Sequence, residues 1–532
     1  MKKFLLSIVG LFMCVAVAFS VVGCTKDYGT TTNNTSTVVA NGGSTVIHNG
    51  YLYFANGVKK NDGETNGGTL GSIYKVAVDE NGAIAEDAEY TKVVDSLVGY
   101  DKGSINIIGD FLYYTTPGTG KNKVGETLYN KTTFMRMNLN TNKKQEIYKT
   151  AANNKDESVK FAFYAGETEN DLFLAVYEST SKTLKSFKIG NKIEETLSVE
   201  NVTSAVFSDK MGRTEADDAD QFIFYTMAYD PKVSVDSSTN RVYRVYPNGT
   251  GNVLLNDNAN LSLLCVRAGK LLMTATFGEK DDEVVNTYAY KVTTETQNGD
   301  ITIVDETNSK NAHPESDQYV VFRGDYEDVV YLEEGGDIAV LYLADKILMY
   351  AKYNGGTTPE VSYSICTFAK APTLSFIDTF VDEHDNNNGY VLFINKDGSK
   401  YFVYKVRYTF ADQADSTQED VDPIVLTTTD LDNDDSTSDV EFGNMIPELA
   451  GGYVYTHTQD EDKNFVLCRV NIYTPEELAE QAEENVGGES GSEGESGSGE
   501  GSGETPDAEE SEEKEDDLKV GEAEIIGGAD LK

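Results

Sequence analysis

Asp430, Asp432, Asp434, Ser438 and Glu441 occupy positions 1, 3, 5, 9 and 12 of the stretch DLDNDDSTSDVE. Oxygen ligands at alternate positions suit a hard cation, and this spacing is that of a twelve-residue calcium loop. Position 6, where the sharp turn calls for glycine, is Asp435, and no helical pattern flanks the stretch. The plainer reading is an acidic, solvated loop. No cofactor is expected, calcium at this stretch being the one candidate. A second polar stretch, DEHDNNNG at 382–389, reads as turn chemistry. The four histidines, His48, His313, His384 and His457, are far apart and form no His-Glu-x-x-His pair. No nucleophile elbow, phosphate-binding loop or zinc cysteine pair occurs, so no catalytic residue is assigned. Paired carboxylates for glycoside hydrolysis cannot be picked out among 89 acidic residues.

The other reactive residue is Cys24. Lys2 and Lys3 precede an apolar run from Phe4 to Val22, the layout of an export signal. The run ends in Val21-Val22-Gly23-Cys24. Branched apolar residues, a small residue and then a cysteine resemble the lipobox of bacterial lipoproteins. That resemblance implies cleavage before Cys24 and a diacylglycerol on its thiol. Residues 1–23 are then a signal peptide. Residues 24–44, rich in Thr, Asn, Gly and Ser, are a lipidated flexible tether. Two acyl chains hold a protein stably at a membrane, where one is marginal. The expected location is the extracytoplasmic face of a cell membrane. Cys265, Cys366 and Cys468 lie in alternating apolar stretches and read as small buried hydrophobes.

The 532 residues carry a formal charge of -45. Nucleic acid is excluded as a partner, because binding it needs clustered Lys and Arg. From Glu476 onward 21 acidic residues face 3 lysines, so -18 of the -45 lies in the last 57 residues. Residues 487–532 read as a disordered Gly/Ser/Glu tail that buries no core. Just before it, residues 475–486 read as a short helix, with Thr474 as cap, Pro475 in the first helical position and Glu477 completing a capping box.

The sequence as a whole is rich in Tyr (32) and Phe (23), poor in Pro (10) and without Trp. One pattern recurs: a turn, then several apolar or aromatic residues. It runs IHNGYLYFAN, IIGDFLYYTT, TENDLFLAVY, DADQFIFYTM, VRAGKLLMTA, YLADKILMYA, DNNNGYVLFI and ELAGGYVYTH. Aligned on Tyr51, Phe111, Leu172, Phe222, Leu271, Ile347, Tyr390 and Tyr453, the copies lie 60, 61, 50, 49, 76, 43 and 63 residues apart. Alternating strands such as SIYKVAVDENG, FMRMNLNTNK, RVYRVYPNGTG and YFVYKVRYT follow. Short strands come next: QEIYK, NVLLND, DITIVDE and PIVLTT. A four-stranded sheet cannot bury both faces alone and must stack on its neighbours. Eight in succession predict an all-β propeller of four-stranded blades over residues 45–474, with seven or nine blades open because the 76-residue interval has room for another hairpin. Immunoglobulin-like sandwiches need about 100 residues each and do not fit. Over roughly Thr45 to Thr474 the chain resembles the uncharacterised propeller modules of bacterial surface lipoproteins, in which G-x-LYY and IYKV-type strands recur.

The eighth repeat lacks a fourth strand before the Thr474 helix. The nearest strand-former is STVVA, so Thr37 to Ala40 is expected to pair with the eighth sheet and latch the ring. Closure would also bring the hairpins beside His48 and His457 together, although unrelated strand histidines are the plainer expectation. The functional expectation is a lipid-anchored binding or scaffold protein with a protein or glycan ligand. The alternative is a polysaccharide-active enzyme of the envelope with acids in the funnel. A quinone-dependent dehydrogenase is disfavoured, since such propellers carry Trp-rich blade motifs.

Overall fold

The computed structural model describes residues 35, 38–39, 45–56, 72–79, 81–95, 105–117, 120–121, 127–128, 132–150, 159–208, 211, 218–228, 240–256, 261–277, 284–297, 299–301, 318–324, 326, 328–356, 358–372, 374–382, 387–397, 400–411, 420–427, 448–459, 465–474, 477 and 524–527. Eight antiparallel sheets form a ring, a β-propeller. In each sheet the strands pair in sequence order, as a meander. Blade one is Thr45–His48, Tyr51–Ala55, Ile73–Ala77 and Thr91–Val94. First strands touch between blades one and two, four and five, five and six, seven and eight, and eight and one, so the first strands are innermost and surround a central channel. First and third strands run toward one face of the ring, here the lower face. It carries the first-to-second and third-to-fourth connections. The upper face carries the others, among them a two-stranded ribbon, Gly120–Lys121 with Thr127–Leu128.

Tight turns set the hairpins. Asn49 and Gly50 both have positive φ, 50° and 72°, as a two-residue hairpin loop requires. The core lies between blades, because each sheet buries both faces. Leu52, Phe54, Tyr74 and Val76 of blade one pack with Tyr455 and Leu467 of blade eight. Val340 and Ala351 of blade six join the cluster that holds Met273 and Tyr288 of blade five.

Register reveals a motif that spans two strands. In five blades the residue after the turn is aromatic, and a cation on the third strand lies over its ring. The pairs are Lys75–Tyr51 at 4.5 Å, Arg136–Phe111 at 4.5 Å, Arg244–Phe222 at 4.4 Å, Lys405–Tyr390 at 4.3 Å and Arg469–Tyr453 at 4.1 Å. In every case the cation pairs across with the residue two beyond the aromatic. The other blades carry Leu172, Leu271 and Ile338 there, and the facing third-strand residues are Phe187, Tyr288 and Ala351. Aromatic goes with cation and aliphatic with an uncharged partner. Four cations, Arg136, Arg244, Lys405 and Arg469, are buried and reach into the third-to-fourth connection of the next blade. Their acceptors are Gly190 O at 2.6 Å, Thr296 O at 3.0 Å, Glu477 Oε1 at 2.8 Å and Gly82 O at 2.6 Å.

The structure corrects four expectations. In blade six the hairpin matching the repeat is Glu334 to Asp337, with Gly335 and Gly336 at the turn; YLADKILMYA joins its second and third strands. Counted from Ile338, the intervals from Leu271 and to Tyr390 become 67 and 52 residues, and no extra blade hides there. The fourth strand of blade five is Gln318–Arg323, not DITIVDE. Ile301 instead donates its N–H to Leu255 O of blade four at 3.2 Å.

The third correction concerns closure. Val38–Val39 pairs with Asn106–Ile108, the innermost strand of blade two, and not with blade eight. Thr45 begins the innermost strand of blade one, and Val38–Val39 lies against that strand in the channel. The open position of blade eight lies at the rim, three strand spacings or about 14 Å outward. Glu524–Ile525 fills it, pairing Ile525 with Cys468 and Glu524 with Arg469.

The fourth correction follows from that pairing. The tail expected to bury no core contributes Ile526, which is buried among Leu52, Phe54 and Leu467. A Cβ on Gly527 would meet Asn56 Oδ1 at 2.5 Å, so this segment is fitted between the last and first blades. Of the 475–486 helix only Glu477 is described, and the capping box is formed: Thr474 N–H donates to Glu477 Oε2 at 2.7 Å and Glu477 N–H to Thr474 Oγ1 at 3.3 Å.

Candidate functional site: the wall of the central channel

The innermost strands present their accessible side chains unevenly. Leu261–Arg267 of blade five exposes Ser262 and Leu264, with Cys265 half-buried. Val329–Glu334 of blade six exposes Glu333, and Leu374–Val381 of blade seven exposes Asp378 and Val381. Val159–Ala165 of blade three exposes Lys160. On the side of blades one and two, the backbone of Val38–Val39 covers the wall. The exposed wall residues named here thus come from blades three, five, six and seven.

Asp378 is an acid whose carboxyl its surroundings perturb. Burial of its surroundings pushes its carboxyl above the usual range; the Thr379 N–H, donating at 2.8 Å, and the Arg267 guanidinium pull it down. Arg267 ends the innermost strand of blade five, so its field reaches across blade six. Between blades six and seven, Glu334 accepts from the Tyr350 hydroxyl, and from Ala411 N–H at 2.8 Å. Tyr350 stacks on Tyr363 at 5.1 Å and on Tyr408 at 6.1 Å. Burial raises all three phenols. These rings act as neutral hydrogen-bonding struts below the channel wall. Asp382 and Arg407 pair at 3.4 Å on the lower face.

His48 ends the innermost strand of blade one at the lower face. Burial lowers its imidazole, and Asp110 in the turn of blade two opposes this. Asn49 Nδ2 donates to its Nε2 at 2.9 Å, which places the proton of the neutral ring on Nδ1. The ring closes as expected, but His457 lies four residues into the second strand of blade eight, about 13 Å along it toward the upper face. The backbones of the two histidines thus lie at different heights in the ring. Among the described residues no group of three or more His, Cys, Asp or Glu side chains is placed to hold a metal ion.

Asp430, Asp432, Asp434, Ser438 and Glu441 lie outside the described residues, as do Cys24, His313 and His384. Cys366 and Cys468 are buried, with thiols pushed up to about 12, and are inert. Cys265 is only half-buried, at the channel wall. Sequence reasoning missed Leu264, Arg267 and Asp378. Their only signal was position, on the strand before a repeat turn, and Asp378 was one acid among many.

No protein-family profile matches the chain. No curated protein matches it either. Solved structures do. TolB from Acinetobacter baumannii is 9% identical with a TM-score of 0.25, covering 68% of this chain and 77% of that one. An acylaminoacyl peptidase is 8% identical with a TM-score of 0.32, covering 82% and 58%. A post-proline cleaving enzyme from Rickettsia typhi is 11% identical with a TM-score of 0.36, covering 80% and 56%. The chain thus spans little more than half the length of either peptidase. At such identities the likeness concerns fold alone.

Proposed function

We propose that this chain is a binding or scaffold protein, held at the extracytoplasmic face of a cell membrane by lipid on Cys24, with a protein or glycan ligand that engages the channel wall. One observation carries the reading. The blade frame repeats its inter-blade residues, whereas the accessible residues of the innermost strands do not repeat: Lys160, Ser262, Leu264, Glu333, Asp378 and Val381 differ in charge and shape from blade to blade. A rigid ring with an idiosyncratic centre fits selective binding, although fold alone does not determine function. Among the described residues no helix is long and apolar enough to cross a membrane.

The test pairs anchoring with capture. Cys24→Ser should abolish fatty-acid labelling and release the protein from the membrane fraction. Equal labelling of both chains would remove the anchor. A partner recovered from envelope extracts by the wild type should be lost with Leu264→Asp and Asp378→Ala together, at unchanged melting temperature. Retention by that variant would place binding elsewhere. The raised Asp378 carboxyl is also what a general acid needs. Cleavage of envelope polysaccharide by the wild type, lost in Asp378→Asn, would favour the enzymatic alternative.

A further inference from the structure

The described residues of the N-terminal segment, Thr35 and Val38–Val39, lie along the channel and toward the lower face. Val38 is level with Ile108 and Val39 with Ile107, so the segment runs antiparallel to the innermost strand of blade two. That strand runs toward the lower face, where Gly109 and Asp110 turn the chain. Val38 is thus nearer the lower face than Val39. Thr35 gives an independent fix. Its N–H donates to Glu169 O at 2.7 Å, and it is fully buried. Glu169 sits in the first-to-second turn of blade three, also on the lower face.

From this path we infer that the lower face opposes the bilayer and the upper face is the one offered to a partner, an assignment that rests on the Cys24 anchor proposed above. Only residues 25–34 lie between Cys24 and Thr35, a reach of about 35 Å when fully extended and roughly 17 Å as a flexible chain. The tether joins the fold at the channel mouth rather than the rim, so it pulls on the centre of the lower face. On an anionic bilayer, charge would limit how closely that face approaches. The connection between the third and fourth strands of blade eight departs at Asn471 and returns at Glu524, both on the lower side. Between Glu476 and Ala523 it holds 19 acidic residues against 2 lysines. An anionic bilayer repels such a segment. A ligand therefore reaches Leu264 and Asp378 through the upper mouth.

Energy transfer to the bilayer tests the assignment. The full chain, lipidated in the cell and carrying Cys265→Ser, is reconstituted in phosphatidylcholine vesicles with an acceptor dye on the headgroups. Donors are placed on exposed turns, at Asp87→Cys or Asn140→Cys below and at Lys182→Cys or Lys346→Cys above. Seven-residue strands separate the faces by about 23 Å, so transfer from the lower sites should exceed that from the upper by at least about twofold. Added phosphatidylglycerol should lower transfer from all four sites. Equal transfer from both faces, or more from the upper, overturns the assignment while leaving the anchor intact. Absence of lipid on Cys24 removes the anchor, and the orientation with it.

Discussion

Arg469 on the third strand of blade eight donates through Nη1 to the carbonyl of Gly82 in blade one at 2.6 Å. This bond spans the seam where the chain's first and last blades meet. The same guanidinium binds Glu524 at 2.7 Å, which holds the closing strand, and lies 4.1 Å from the ring centre of Tyr453. One side chain thus ties three segments far apart in sequence. Its counterparts Arg136 and Arg244 make the same blade-to-blade bond inside the ring, where covalent connection already keeps neighbours together.

Arg469→Ala should cost about 2–4 kcal/mol, because a charge-assisted bond to a buried carbonyl is lost together with the cation–ring contact. Arg469→Lys should recover only part, since an ammonium cannot reproduce the fork. Urea melts of the three proteins check this. A loss under about 0.5 kcal/mol in the alanine variant would show the seam held by other means.

Lys405→Met is expected to cost less. Lys405 is buried, but its partner Glu477, at 2.8 Å, is one-third exposed and stays solvated when the ammonium is removed. Methionine fills a similar volume, and such replacements are often near neutral. The two urea midpoints, measured side by side, should fall in the order Arg469→Ala below Lys405→Met.

Deleting residues 523–532 should destabilise the domain by about 3 kcal/mol or more, because burial of Ile526 contributes about 2 kcal/mol and the outer edge of Phe465–Asn471 is laid bare. Deleting 488–519 should leave the melting temperature nearly unchanged, since loop length enters stability only logarithmically. Thermal melts of both truncations decide; equal behaviour would contradict the clasp.

Asp171 carries a pH dependence. Burial alone would raise its carboxyl; hydrogen bonds from Lys188 and Thr168 outweigh that and hold it below the ordinary value. A depressed folded pKa gives stability that is present above the unfolded pKa and lost as pH falls through the folded one. Asp171→Asn should therefore lower stability at pH 7 and have little effect in strong acid. The difference between wild-type and variant melting temperatures should shrink as pH falls below the ordinary aspartate range.

The repeated turn-and-apolar pattern determined the blade architecture without help from long-range contacts. Each hairpin is a local event, written in turn residues and a two-residue alternation. The capping box at Thr474 and Glu477 was legible for the same reason. The cations were visible too, in IYKV, FMRMN, VYRVY, VYKVR and LCRVN, yet their role was not. A cation on a strand reads as solvent-facing until register places it over Tyr51 or Tyr453 and a neighbouring blade supplies the carbonyl. Closure was beyond local reading altogether. Two short strand-formers, Val38–Val39 and Glu524–Ile525, have nearly equal local claims on the open edge of blade eight. What decided between them was radius: the ring starts its first strand at the axis and leaves its last gap at the rim, so the segment that emerges at the axis pairs in the channel, and the segment that follows the third strand completes the blade.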